Sequence, residues 1–403
     1  MNIMDCIGLN LENLEDVDES RNFILKYQDR ALIITPIISN HKNFVEVIRG
    51  IKFKRIELHD QELDHWRVKS FDNLEFLSEL QCDDIVYRGD SFQIVEFLAK
   101  HKPNLTNLTL GYEINDLTHL HLLKCLKKLV FIYRPNNVTF NQETLTCLFM
   151  ELSLMPSLID LEIIADMKFY PLGRSMAFPD TTKMWFQHIR RLKLTSPMST
   201  LLGGLPDRIL KFIPLIPNLE SLSICLSSAQ EETLYKVLEQ CKSLTEVNIE
   251  YESSCSGEVL NAMKVMSPKY RHINIQCRSI GRLLGIVSEV PIAVIHNNAK
   301  LEYFNMKSDG FSDNIMNKTF EAYLAHKYLR HVYITNNEFN AHKFNVENDW
   351  RQAKIQNSIK AALTVICIKK FRNEYTPMFW LSMDTVKKIA RYVVIKSGDP
   401  VLF

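Results

Sequence analysis

The chain has 403 residues, of which 46% are apolar and 24% charged, a composition that suits a cored soluble protein and excludes a disordered or collagen-like one. Its 48 Lys and Arg against 47 Asp and Glu leave a net charge of +1, so the electrostatic footprint of a nucleic-acid binder is missing. The longest apolar run, Ala361–Ile368, is far short of the roughly 20 residues that span a bilayer, and the acidic stretch Met1–Ser20 lacks the pattern of a secretory signal.

In chain order, residues 1–50 form a helical N-terminal region by this reading, because no strand pattern is visible there. From Phe53 to Ile334 one phrase recurs: apolar, two variable residues, apolar, one variable residue, apolar. It opens with Phe53-x-x-Ile56-x-Leu58, and Leu74-x-x-Leu77-x-Glu79 reads as a broken copy. It continues as Leu105-x-x-Leu108-x-Leu110, Leu126-x-x-Leu129-x-Phe131, Leu158-x-x-Leu161-x-Ile163 and Ile189-x-x-Leu192-x-Leu194. Later copies are Leu219-x-x-Leu222-x-Ile224, Leu244-x-x-Val247-x-Ile249, Tyr270-x-x-Ile273-x-Ile275, Leu301-x-x-Phe304-x-Met306 and Leu329-x-x-Val332-x-Ile334.

Such a phrase marks leucine-rich repeats. A strand of a few residues cannot bury its apolar side alone, but stacked copies build a parallel sheet with a continuous core. The copies recur about every 28 residues, at the upper end of the roughly 20–29 for this class, which leaves room for a helix in each unit. Ser91–His101, Gln142–Leu154, Glu231–Cys241 and Asn317–Lys327 have apolar residues at helical spacing. The predicted fold is therefore an α/β leucine-rich-repeat solenoid over residues 51–340, with about ten to eleven repeats. A curved parallel sheet lines its concave face and helices lie outside. Residues 341–403 return to helical patterns, Glu347–Arg372 and Ser382–Lys396, and read as a C-terminal cap.

Two stretches break the rhythm. Between Ile164 and His188 the unit expands into a segment rich in Phe, Tyr, Pro and Trp, either a loop on the binding face or an outer helix whose Met184, Trp185 and Phe186 pack inward. Ser199–Pro217 is also irregular, and its Gly203-Gly204 lacks the Lys-Ser/Thr of a phosphate loop.

Nine cysteines without C-x-x-C or paired Cys/His spacing predict neither a disulfide framework nor a zinc site. They favour a reducing compartment, cytoplasmic or nuclear. Cys125, Cys147 and Cys241 read as small buried fillers. No HExxH, GxSxG or Walker sequence occurs, so the expectation is a non-enzyme with no catalytic, cofactor-binding or metal-binding residue.

The variable positions of the phrase point away from the core. They present Val130 and Ile132, then Glu162 and Ile164, then a basic cluster of Arg190, Arg191 and Lys193, and further along Glu246 and Glu250. Banded charge beside apolar side chains suits protein recognition, in which a few anchors carry the energy and charges set orientation. These nine residues are the candidate partner-binding set.

The long period and the passage Leu238-Glu239-Gln240-Cys241-Lys242-Ser243-Leu244-Thr245-Glu246-Val247 resemble the ribonuclease-inhibitor-like repeats of F-box/leucine-rich-repeat proteins. That family has Cys or Asn three residues after the last strand apolar. Here Glu113, Arg134, Asp166, Pro197, Ser227 and Glu252 stand there, and only Asn337 fits. Residues 10–48 resemble a degenerate F-box that lacks the Leu-Pro opening, with Ile24, Tyr27, Leu32 and Ile38 near its apolar spacing. The alternative for this region is a helical cap that buries the same residues against Ile56 and Leu58. The resemblance implies a substrate-recognition subunit of an SCF-type cullin-RING ubiquitin ligase, binding the small adaptor through those four residues and its substrate on the concave face. The other reading is a leucine-rich-repeat scaffold, regulator or effector with no ubiquitin-ligase link.

Overall fold

A computed structural model describes residues 6–8, 14–27, 29–59, 75–89, 94–111, 117–133, 142–165, 186–195, 210, 212–226, 231–251, 269–277, 290–307 and 313–335. The chain divides into two compact units, Met1–Leu244 and Thr245–Phe403. The helices expected at Glu347–Arg372 and Ser382–Lys396, and most of the irregular segment after Ile164, lie outside the described residues.

In the first unit the main-sheet strands are β1 (Cys6–Gly8), β2 (Ala31–Ile34), β4 (Arg55–His59), β6 (Asp84–Arg88), β7 (Asn107–Gly111), β8 (Lys128–Tyr133), β9 (Asp160–Ala165), β10 (Arg191–Thr195) and β11 (Ser221–Leu226). They pair in that order, each parallel to the next. Two short strands, β3 (Lys52–Phe53) and β5 (Gln81–Cys82), form a separate ribbon. The second unit holds β12 (Glu246–Tyr251), β13 (His272–Cys277), β14 (Tyr303–Lys307) and β15 (His331–Thr335), also parallel neighbours. One strand per copy of the phrase, joined by crossovers that carry helices, is the leucine-rich-repeat architecture.

The register aligns the phrase with itself. Leu32, Ile56, Ile85, Leu108, Leu129, Leu161, Leu192 and Leu222 sit side by side across the sheet, all buried. Two residues on, Ile34, Leu58, Tyr87, Leu110, Phe131, Ile163, Leu194 and Ile224 form a second buried row. In the second unit Val247, Ile273, Phe304 and Val332 repeat the first row. Side chains two apart share a face of a strand, so these rows all turn to one side.

The two variable residues between the first and second apolar positions have a backbone role. The N–H groups of Lys127 and Lys128 both donate to the Thr106 carbonyl, those of Ile159 and Asp160 to Lys127, and those of Arg190 and Arg191 to Ile159. Arg271 and His272 do the same to Thr245, and Glu302 and Tyr303 to Arg271. One carbonyl per turn thus satisfies two donors at the entrance of the next strand, as buried amides require.

Helices fill the crossovers. α1 (Val17–Lys26), α2 (Pro36–Ser39), α3 (Phe44–Ile48) and α4 (Phe76–Glu79) precede α5 (Ile94–His101), α6 (Gln142–Ser153) and α7 (Glu231–Gln240). The second unit adds α8 (Val290–Asn297) and α9 (Asp313–Ala325). Their buried residues recur at helical spacing, such as Ile94, Val95 and Leu98 or Leu234, Val237 and Leu238. α1 is capped by Asp16, whose carboxylate accepts from the Glu19 N–H at 2.9 Å.

Several expectations change. Leu77 and Glu79 belong to α4, so Leu74–Glu79 is not a strand copy. The copy is Cys82-x-x-Ile85-x-Tyr87, with Cys and Tyr in places that Leu holds elsewhere. Burial pushes the Cys82 thiol up to about 11, as suits an inert filler. Cys241 is likewise buried, but Cys147 is half-buried and Cys125 exposed. Residues 1–50 are not purely helical: β1 and β2 are parallel strands of the main sheet, in register with β4. Of the irregular segment, Phe186 packs inward, its ring 4.6 Å from Phe212 and 6.4 Å from Phe149.

One histidine secures the turn after α9. His326 Nδ1 accepts from the Tyr328 and Leu329 N–H groups at 3.2 and 3.0 Å, which leaves Nε2 to donate to the Asn298 carbonyl at 2.9 Å. His326→Ala should cost the second unit about 1–3 kcal/mol by orphaning these groups. His326→Gln, able to replace only one arm, should lie between, as denaturant midpoints would show.

Candidate partner-binding face

The face opposite the Leu/Ile rows carries the variable side chains, and three rows cross it. The first runs Asp84, Asn107, Lys128, Asp160, Arg191, Ser221. The second runs Ile33, Glu57, Val86, Thr109, Val130, Glu162, Lys193, Ser223. The third runs His59, Arg88, Gly111, Ile132, Ile164, Thr195.

All seven candidate residues of the first unit lie on or beside this face. Val130, Ile132 and Ile164 are half-buried and adjacent in register, a branched apolar patch on the side away from the core. Arg190, Arg191 and Lys193 are exposed. They are not a free basic cluster, because each cation meets its own carboxylate: Arg190 pairs with Glu220, Arg191 with Asp160, and Lys193 with Glu162 at 2.6 Å. The predicted cationic patch is a ladder of ion pairs across β9, β10 and the entrance of β11. Exposed pairs of this kind contribute about 0–1 kcal/mol each.

Toward β4 the face is more enclosed. Glu57 and Val86 are buried although they occupy outward positions. The Glu57 carboxylate receives Arg55 Nε at 3.3 Å, His59 Nε2 at 3.2 Å and Arg88 Nη2 at 3.7 Å. The hydrogen bond from His59, with Arg88 and Arg55 nearby, holds it below its ordinary value despite the opposing effect of burial. Asp84, on the next strand, is raised by burial. Nothing in the Leu-x-x-Leu-x-Leu phrase pointed to Glu57, Arg55 or Arg88. The signal was Glu in the middle of Arg-Ile-Glu-Leu-His, flanked by basic residues at outward positions.

Glu246 and Glu250 belong to the second unit, so the nine candidates do not form one described site. Both are half-buried on β12, and His272 Nδ1 lies 3.4 Å from Glu246. Between them the sequence reading missed a carboxamide ladder. Asn274 Nδ2 donates to Asn248 Oδ1 at 2.6 Å, and Asn305 Nδ2 to Asn274 Oδ1 at 2.8 Å, with Gln276 Nε2 also on Asn274 Oδ1 at 3.1 Å. It ties three strands together through their outward side chains.

The adaptor-binding set is corrected. Ile24 and Leu32 have no exposed surface and Ile38 is 7% exposed, while Tyr27 is half-buried between Phe23 and the cations of Lys26 and Arg30. Leu32 is a strand-core residue in register with Ile56, so Ile24, Leu32 and Ile38 stabilise the start of the repeat series and present little or no surface to a second protein, whereas Tyr27 stays partly exposed. Among the described residues, no group of three or more His, Cys, Asp or Glu could hold a metal ion, and no helix is long and apolar enough to cross a membrane.

No protein-family model matches the chain, and no curated protein does. Among solved structures, a crystal structure of an internalin from Listeria monocytogenes aligns over 81% of this chain and 83% of its own, at 14% identity and a TM-score of 0.35.

Proposed function

We propose that this chain is a protein-interaction module with no ubiquitin-ligase link, whose partner lies on the outward sheet face of the first unit, over Val130, Ile132 and Ile164. The observation that carries the reading is that apolar patch. Outward positions of a sheet face are free to be polar, yet three branched apolar side chains stand together there. The ion-pair ladder beside them supplies a polar rim with fixed orientation, the pattern of a contact in which a few buried anchors carry the energy. As a substrate-recognition subunit of an SCF-type ligase the chain would use the same face, but Ile24, Leu32 and Ile38 offer the adaptor no surface.

The test is affinity capture and titration with the full chain. Ile132→Ser should weaken a captured partner by about tenfold or more, as for an anchor residue, with the melting temperature nearly unchanged. The double change Arg190→Glu with Arg191→Glu should act less, because those cations are already neutralised. Undiminished binding by Ile132→Ser would remove the patch from consideration, and recovery of the cullin adaptor by direct binding would restore the ligase reading.

A further inference from the structure

We propose that Arg88 and His59, in the same row of the sheet as Ile132 and Ile164, receive an acidic side chain of the protein partner, with Arg55 on the other side of Glu57. The inference rests on the reading above, that the partner lies on this face, and adds where its charge goes.

Charge is unevenly matched along this face. The cations Arg190, Arg191 and Lys193 are matched one to one by carboxylates. At β4 and β6 a single buried carboxylate, Glu57, is shared by two guanidiniums and an imidazole. Asp84, on the adjoining outward position, interacts first with Arg55 and then with Lys128, so four cationic or imidazole side chains, Arg55, Arg88, Lys128 and His59, face two carboxylates. The sharing is imperfect: Arg55 Nε and Glu57 Oε1 face each other at 3.3 Å outside hydrogen-bond geometry, and Arg88 Nε is buried without a hydrogen-bond partner. A guanidinium donor left open in this way is expected where a further acceptor completes a network. Glu57 is 3% exposed at its side chain, whereas those of Arg55 and Arg88 are 32% and 36% exposed. Glu57 therefore anchors the two arginines from below, and about a third of each arginine side chain stays exposed. Guanidinium donors in a fixed fork suit a carboxylate, which can accept two of them at once.

The row geometry names the partner's pattern. Arg88, Gly111, Ile132 and Ile164 are consecutive neighbours. At about 4.8 Å between strands, Arg88 lies about 10 Å from Ile132, which an extended chain covers in about three residues. Gly111 adds no side chain to the path: a Cβ there would stand 3.3 Å from the Tyr87 carbonyl and 3.6 Å from Arg88 Cγ. The favoured ligand is thus an extended segment with Asp or Glu, two spacers, then a branched or aromatic apolar residue.

The experiment uses the full chain and a fluorescein-labelled library of short peptides carrying acidic-x-x-apolar, against matched sets with Gln for Glu, Lys for Glu, or Ser for the apolar residue. The expected result is selection of the acidic-apolar set, with affinity falling at least tenfold for the Gln set and falling further as salt is raised. Arg88→Gln should lose that preference. Arg88→Lys, which keeps the charge and so protects the fold, should weaken it severalfold, and circular dichroism melting separates either loss from unfolding. If Ile132→Ser abolishes binding while Arg55→Gln and Arg88→Lys leave the Glu-over-Gln preference intact, the acidic receptor is overturned and the partner face stands. If no acidic-apolar peptide binds, the acidic receptor is overturned, and if one binds but neither class of variant matters, both fail. Displacement by inorganic phosphate as effective as by the peptide, with no dependence on the apolar residue, would make it a small-anion site and overturn the proposal.

Discussion

Leu222→Ala should lower the stability of the first unit by about 2–5 kcal/mol, among the largest effects of any single truncation in the repeats. Leu222 has no exposed surface and stands in register with Leu192, with Leu219 and Ile224 buried on either side of it in the phrase. A repeat strand is tied to its neighbour by backbone hydrogen bonds, as Glu220 and Ser221 are to the Arg190 carbonyl. The sheet therefore cannot collapse into the cavity without breaking them, which places the cost in the upper part of the range. Ser221→Ala, one residue away on the outward row, should change stability by less than about 0.5 kcal/mol. Urea denaturation followed by circular dichroism measures both. A loss below about 1 kcal/mol for Leu222→Ala would mean that the Leu/Ile row is not the core.

The second large effect is pH-dependent and belongs to Glu57. Its folded-state carboxyl is held low, first by the His59 hydrogen bond and then by Arg88 and Arg55, while burial opposes them. A group depressed on folding contributes stability above its unfolded value, about 4.3, and loses it as pH falls through the folded value. Glu57→Gln should therefore destabilise the first unit by about 1–3 kcal/mol at pH 7, because it leaves two arginines around a neutral amide. The gap between the two proteins should close as pH falls below about 4. Parallel denaturation curves at pH 7, 5 and 3.5 test this, and a gap that stays constant across them would show that the Glu57 charge does not stabilise the fold.

How much of this was legible in the sequence varies from residue to residue. The strand copies at Leu108, Leu129, Leu161, Leu192, Leu222, Val247, Ile273, Phe304 and Val332 could be read because their core demand is local. Each strand buries alternate side chains, and each unit repeats the demand. The copy at Cys82-x-x-Ile85-x-Tyr87 is hidden because a buried site accepts any apolar group of suitable shape, and Cys and Tyr stand where most other copies carry Leu, Ile or Phe. The strand at Ala31–Ile34 was missed because Asp29 stands where the phrase begins, so only Leu32 and Ile34 remain of it. The four residues matched to an F-box were apolar at suitable spacing, but spacing alone does not say whether an apolar residue meets its own chain or another one.

The repeat, its period and the two buried rows are written locally in the chain, since they follow from side-chain alternation within a few consecutive residues. Only the tertiary structure decided which charges are spent. Arg191 meets Asp160 and Lys193 meets Glu162 because the parallel register brings residues about 31 positions apart in the chain to adjacent strands. The same register gives Arg55 and Arg88 one carboxylate between them and ties Asn248, Asn274 and Asn305 into a ladder. Coulomb attraction and hydrogen bonding act over a few ångströms of space, whatever the distance along the chain. The charge pattern of the outward face therefore depends on which strands stand side by side.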